Sequence, residues 1–318
     1  MIMITGGTGF VGNALIRQLS TLGYPIKLLI RPSKSSPNFP TGIPLDVAIA
    51  SFSDMKGLRA AMKGVDIIFH LASAESSGRQ AQLNLVDVQG ADRLAQVASQ
   101  AKVNRFIYLS HLGADNASAY PLLKAKAFAE RAIKKTNLPY TIVRSAVAFG
   151  KDDHFTNGLA SLLKLSPFVV MLPDEGSTLL QPIWVDDLAT ALTWAIDMPQ
   201  TINETIEIGG PEYLSFKEIC TLITEKMGIK RHFINVPPVL LRFFTEIFET
   251  ITPNFPSSVF WLDYLATNRT TSMDVLPREF SLIPARMHQR LDYLKGESFR
   301  KRLWTLFAKR KRTITRWD

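Results

Sequence analysis

A doubly wound α/β fold, a parallel sheet with helices on both faces and a smaller C-terminal lobe, is predicted by three observations in this 318-residue chain. A glycine turn stands at the start between a strand pattern and a helix pattern. Short apolar runs then alternate with longer amphipathic ones as far as about residue 150. Those apolar runs are continuous rather than alternating, as strands covered on both faces must be.

Residues 1–4 form an apolar run too short for a helix, and Thr5 bounds it. The stretch Thr5-Gly6-Gly7-Thr8-Gly9-Phe10-Val11-Gly12 follows, with glycines three apart at 6, 9 and 12. Val11, Leu15, Leu19 and Leu22 then share one helical face, Gly23 stops the helix, and 26–30 is a second apolar run. Strand, glycine turn, helix and strand make a unit that holds a dinucleotide. The glycines allow the tight turn and the close approach of backbone to a pyrophosphate, which rests on unpaired N–H groups at the helix start. Gly6, Thr8, Gly9, Phe10, Val11 and Gly12 are therefore candidate cofactor residues. The second strand ends in Arg31, with Ser33 and Lys34 beside it and no carboxylate before Asp46. An acid at that tip would bind the ribose diol of NAD; cations and a hydroxyl suit a 2′-phosphate, so NADP(H) is expected over NAD(H).

Further along, 45–50 reads as a strand and 53–62 as a short helix capped by Ser53 or Asp54. Residues 66–72 form a buried strand, 83–101 a longer helix and 105–110 the next strand. A helix from Tyr120 to Lys135 leads to a strand at 140–144. This alternation predicts right-handed crossovers, with ligands at the carboxyl ends of the strands. Residues 1–150 are expected to form the dinucleotide domain, its sheet completed by parts of 180–210. Residues 151–290 would form the smaller lobe over the cleft, and 291–318 a basic tail. In that lobe 157–164 and 184–196 look helical, Asp187 reads as a helix cap and 204–208 as a strand. Ser215-x-x-Glu218 is a capping box, and 237–260 is rich in Phe and Pro.

Composition is globular, with 46% hydrophobic and 20% charged residues. The single cysteine, Cys220, excludes an internal disulfide and reads as a core residue. A chain that opens on its first strand leaves no room for a signal peptide, and no uncharged run reaches membrane-spanning length, so a cytoplasmic setting is expected. Net charge is +9, but nine Lys/Arg against two acids leave +7 after residue 294, so the body is nearly neutral and nucleic-acid binding is not expected. In that tail Phe299, Leu303, Leu306 and Phe307 share a helical face amid basic residues. This predicts attachment to an anionic membrane surface or a membrane-bound partner, the alternatives being a helix packed on its own domain or a disordered basic arm.

For chemistry, Tyr120-x-x-x-Lys124 is the sharpest pair. Four residues apart on a helix, the two side chains would share a face, with Pro121 tolerated in the first turn. A phenol titrates near ~10 and a neighbouring ammonium lowers that, making Tyr120 a candidate proton donor to a carbonyl that receives hydride. Ser110, ending its strand, would bond the same oxygen. The other reading is that Tyr120 and Lys124 only hold the cofactor ribose. His70 and His111 read as core or cleft-lining residues, and no metal-ligand spacing is present.

Thr5-Gly6-x-x-Gly9-x-x-Gly12, His70-Leu71-Ala72, Ser110 and Tyr120-x-x-x-Lys124 resemble the extended and atypical short-chain dehydrogenase/reductase superfamily. Within it, the stretches 106–112, 149–157 and 181–187 resemble the NADPH-binding accessory subunit of respiratory complex I and its bacterial relatives. The resemblance implies a Rossmann domain with bound NADP(H), contacts to the cofactor from Leu71, Ala72 and Ser73, and docking on the inner face of a membrane beside a redox complex. It also implies that Tyr and Lys can be kept where the protein acts structurally. The alternative is a working reductase or epimerase on a small carbonyl or sugar-nucleotide substrate. Two departures stand out: Ser51 where an adenine-contacting Asp is usual, and Ser145-Ala146 where a proline is usual.

Overall fold

The computed structural model describes residues 1–33, 39–75, 81–166, 168–251 and 259–295, with backbone alone for 248–251. β1 (Ile2–Thr5) enters the glycine turn and α1 (Phe10–Thr21) leaves it, followed by β2 (Ile26–Ile30), β3 (Leu45–Ile49), α2 (Met55–Ala61) and β4 (Ile67–His70). A π-helical segment, Asn84–Gln89, runs into α3 (Gly90–Gln100); β5 (Arg105–His111), α4 (Pro121–Lys134) and β6 (Tyr140–Ser145) complete the first half.

The second half holds β7 (Ala148–Phe149), α5 (Thr156–Leu165), β8 (Val169–Pro173), β9 (Leu179–Leu180), β10 (Ile183–Trp184) and α6 (Val185–Trp194). It continues with β11 (Glu204–Ile208), β12 (Leu214–Ser215), α7 (Phe216–Met227), β13 (His232–Val236), α8 (Pro238–Ile251), α9 (Val259–Tyr264) and α10 (Val275–Phe280).

Seven parallel strands form the main sheet in the order β11-β6-β5-β4-β1-β2-β3. The order reverses about β1, which places a crevice outside the carboxyl ends of β1 and β4. One face is packed by α2, α3 and α4 through Met3, Ile68, Phe106, Leu94 and Ala129. The other is packed by α1, α6 and α10 through Ile4, Leu28, Leu15, Leu188 and Leu276. Chain-remote β11 completes the edge because Ile206 and Ile208 lie in register with Val143 and Ser145 of β6.

A third core gathers Phe149, Phe155, Leu163, Leu180, Ile219, Cys220 and Tyr264 around α5, α7 and α9. Burial pushes the Cys220 thiol up to about 12, so it is an inert apolar residue there. The capping box is formed: Ser215 Oγ accepts from the Glu218 N–H while Glu218 accepts from the Ser215 N–H.

Two local expectations change. The helix predicted over 83–101 is broken into a π-helical turn and an α-helix, where the ring of Phe52 occupies the space a side chain at Gly90 would need. Asp187 is not a cap: its carboxylate accepts the N–H of Ala285 at 2.7 Å, tying the start of α6 to the chain after α10.

Candidate functional site

Gly9 is the N-cap of α1 and has no side chain to offer, so the first N–H groups of the helix are left uncapped at the mouth of the crevice. Gly6 adopts φ +74°, and a Cβ there would stand 2.6 Å from the Ala72 nitrogen. The turn is thus pressed against the Leu71–Ala72 backbone, where the Leu71 N–H donates to the Thr5 carbonyl. A Cβ at Gly12 would collide with the Gly6 carbonyl oxygen. Phe10 and Val11 turn their side chains onto Val185, Ala189 and Gly150, which leaves their backbone N–H groups for a phosphate. Thr8 is exposed at the turn's tip, and Ser73 Oγ accepts from the Glu75 N–H.

Arg31 and Ser33 lie exposed beyond the end of β2; Lys34 falls outside the described residues. The first acid after the tip, Asp46, lies in register with Lys27 and pairs with it at 3.5 Å. That is the amino end of the strands, far from any ribose at the carboxyl end.

Beneath the turn is a buried polar layer. Thr5 Oγ1 bonds His70 Nδ1 at 2.6 Å, and the His70 ring stacks on Tyr108 with centroids 5.5 Å apart. Burial, with Lys126 nearby, holds His70 down to about 3, so it is a neutral core histidine. Asp87, carried on the π-helical segment, accepts the Ala74 N–H at 3.0 Å and meets Lys126 Nζ at 3.2 Å. Lys126 Nζ also lies 5.4 Å from the centre of the Tyr108 ring. Burial alone would lower the Lys126 ammonium; Tyr108, Asp87 and Glu75 more than reverse it and the net shift is upward.

The expected catalytic residues occupy unlike settings. Tyr120 is the N-cap of α4, with extended φ/ψ, rather than a residue within the helix, and Pro121 takes the first helical position. Lys124 is exposed, while Lys126, two residues on, is buried. One turn before Lys126 stands Leu122, also buried. Ser110 is 1% exposed, and its hydroxyl donates to Glu130 Oε1 at 2.6 Å. Glu130 in turn takes both Arg144 Nε and Nη2, and Arg144 reaches Glu207. Ser110 therefore belongs to a charge network between α4, β6 and β11, and its hydroxyl is committed away from the crevice. Lys126 was legible in the helical phase, since Leu122, Ala125, Lys126, Ala129 and Ile133 form one stripe.

Over the carboxyl ends of β4 and β5, Glu75 Oε2 and His111 Nε2 are 2.8 Å apart. Burial raises the Glu75 carboxyl, but His111, Lys126 and His154 outweigh it and hold it at about 2. Asp153 organises the loop at 149–157: it accepts the N–H groups of Gly150 and Thr156 at 2.7 Å each and the Thr156 hydroxyl at 2.6 Å. Among the described residues no three His, Cys, Asp or Glu side chains stand together as a metal site, and no helix is long and apolar enough to cross a membrane.

The comparisons with known proteins agree with this crevice. Residues 6–162 match the family model described as NAD(P)H-binding. The chain is 28% identical over 240 residues to the Arabidopsis thaliana NADH dehydrogenase [ubiquinone] 1 alpha subcomplex subunit 9, mitochondrial, covering 74% of this chain and 60% of that protein. It is 24% identical to the Neurospora crassa NADH-ubiquinone oxidoreductase 40 kDa subunit, over 75% of this chain and 63% of that one. A further relative, 24% identical over 78% of this chain and 75% of its own length, is photosystem II assembly factor Ycf39 of Trieres chinensis. The chain thus spans under two thirds of the two mitochondrial relatives.

Among solved structures, a short-chain dehydrogenase/reductase superfamily protein from Agrobacterium tumefaciens with bound NAD superposes with a TM-score of 0.65. Identity there is 18%, over 96% of this chain and 98% of that one. Residues 6–162 match the NAD(P)H-binding family model, the seven-stranded parallel sheet shares its fold with that Agrobacterium protein, and the nucleotide that the crevice takes is a nicotinamide dinucleotide.

Proposed function

We propose that the protein holds NADP(H) as an accessory component of a membrane-bound redox complex, with the nucleotide serving structure more than turnover; its mitochondrial relatives are named as subunits of NADH dehydrogenase [ubiquinone] and of NADH-ubiquinone oxidoreductase. The observation that carries this reading is the Lys126–Asp87 pair under the glycine turn with Leu122 one turn earlier. The ammonium is buried against Asp87, and the residue one helical turn before it is a leucine and not a phenol. Ser110, held by Glu130, offers no second donor.

NADP(H) is preferred over NAD(H) because Arg31 and Ser33 stand at the β2 tip and Asp46 is at the other end of the sheet. Docking is supported by the outer face of α8, where Val239, Leu240, Phe243 and Phe244 are exposed. The basic tail at 298–318 carries the same expectation by sequence and lies outside the described residues. The protein would sit peripherally on the inner face of a membrane.

The test begins with the nucleotide that co-purifies. Mass spectrometry should find NADP(H), and NADPH should bind at least tenfold more tightly than NADH, with Arg31→Ala removing most of that difference. Equal affinities would sink the preference. Full-length protein should co-migrate with a membrane-bound complex on native gels, and deletion of 298–318 should release it.

The Glu75–His111 pair favours a second reading, a reductase or epimerase on a small carbonyl compound, since such a pair can hold and deliver a proton at the strand ends. NADPH oxidation that depends on an added carbonyl, and that is lost in Tyr120→Phe or His111→Gln, would replace the accessory reading with this one.

A further inference from the structure

Arg269 is 6% exposed, and its Nε and Nη2 find no acceptor. Among the described residues its side chain makes no ion pair; its guanidinium lies over the face of Tyr264, 5.4 Å from the ring centre. Its backbone is fixed, with the N–H donating to the Leu179 carbonyl at 2.8 Å and a bridge to Leu180. The guanidinium rests against Gly113, a residue at φ +81° just past the end of β5, where any Cβ would collide with Nη1. The Tyr264 ring also makes a T-shaped contact with His111, centroids 6.4 Å apart, and His111 Nδ1 is buried without a partner. The nearby carboxylate, Glu75, is spent on the opposite nitrogen of that imidazole. Two unpartnered polar groups thus flank one aromatic ring over the carboxyl end of β5.

A buried guanidinium without a counter-charge is costly, and the planar fork of arginine matches two oxygens of one carboxylate or phosphate. We propose that Arg269 and His111 form an oxyanion-binding subsite beside the dinucleotide crevice, which takes the carboxylate or phosphate group of a small molecule. The subsite is distinct from the α1 N-terminus, where the dinucleotide's own phosphates rest. Arg269 comes from the C-terminal lobe and His111 from the sheet, so a bound anion would join the two. The inference holds whether the protein turns over or only stores its nucleotide, since it concerns binding alone.

The experiment uses full-length protein saturated with NADPH, at constant ionic strength, titrated calorimetrically with inorganic phosphate in one arm and oxalate in the other. At least one anion should bind saturably at one site, and the arm that responds identifies the group. Arg269→Gln should weaken that binding tenfold or more, the loss expected of a charge-assisted pair, and leave NADPH affinity unchanged. If Arg269→Gln does not fold, His111→Gln carries the test and should weaken anion binding severalfold. Absence of saturable binding in the parent, an affinity unchanged in the variant measured, or competition between the anion and NADPH each overturns the proposal.

Discussion

At the scale of single residues, Lys126 and Lys124 show how two positions on one helix turn acquire opposite roles. Lys126 is enclosed with Asp87, so removing its charge leaves a buried carboxylate uncompensated. Lys126→Met is expected to cost about 3–5 kcal/mol in urea unfolding, with part recovered in Lys126→Met/Asp87→Asn. Lys124→Met, on the exposed side, should stay within about 0.5 kcal/mol. Glu75 carries a pH dependence of known sign. Its folded-state pKa of about 2 lies below the ordinary 4.5, so its contribution is present above pH 4.5 and fades as pH falls toward 2. Acid titration of unfolding free energy should therefore be steeper in the parent than in Glu75→Gln across that window. Equal slopes would mean that the His111 contact adds no stability.

At the scale of elements, the start of α1 and the start of α7 are built by opposite means. Ser215 and Glu218 satisfy the N-terminus of α7 from within the chain, and Ser215→Ala should cost about 1 kcal/mol, read by thermal or urea denaturation. The α1 terminus is uncapped because Gly9 leaves its N–H groups for a ligand. Gly12→Ala would drive a methyl into the Gly6 carbonyl oxygen, which is backbone and has little room to shift. The variant should lose about 1–3 kcal/mol of stability and bind NADPH at least tenfold more weakly in a fluorescence titration. Normal binding by that variant would show that the turn relaxes without consequence. The π-helical turn at Asn84–Gln89 belongs to the same device, since it aims Asp87 at both the Ala74 N–H and Lys126.

At the scale of the molecule, the crevice is assembled from distant parts of the chain: the glycine turn, the end of β4, α4 and a lobe reached only after residue 150. Asp187 bonding Ala285, and Arg269 lying on the His111–Gly113 loop, tie that lobe to the sheet. A ligand bound across such parts stabilises all of them. NADPH at one hundred times its dissociation constant should raise unfolding free energy by about 2.7 kcal/mol. In a thermal scan NADPH should therefore shift the midpoint further than NADH at equal concentration. The reverse order would contradict the role given to Arg31.

The sequence by itself determined the Rossmann order of elements, the dinucleotide turn and the capping box at Ser215, because each rests on contacts between residues close in the chain. Glycines at 6, 9 and 12 and the 3.6-residue phase of α1 are local steric facts, readable without a fold. The register of β11 against β6 and the burial of the α4 stripe that contains Lys126 came only with tertiary packing. So did the transfer of Ser110 from the crevice to Glu130. Spacing alone pairs Tyr120 with Lys124, but it carries no information on where α4 begins or which side meets the sheet. Tyr120 falls at the N-cap, the buried stripe runs through Leu122 and Lys126, and Arg269 meets Gly113 across 156 residues of chain. Those are decisions of burial and electrostatics in three dimensions, where a charge is placed by what surrounds it and not by its distance along the chain.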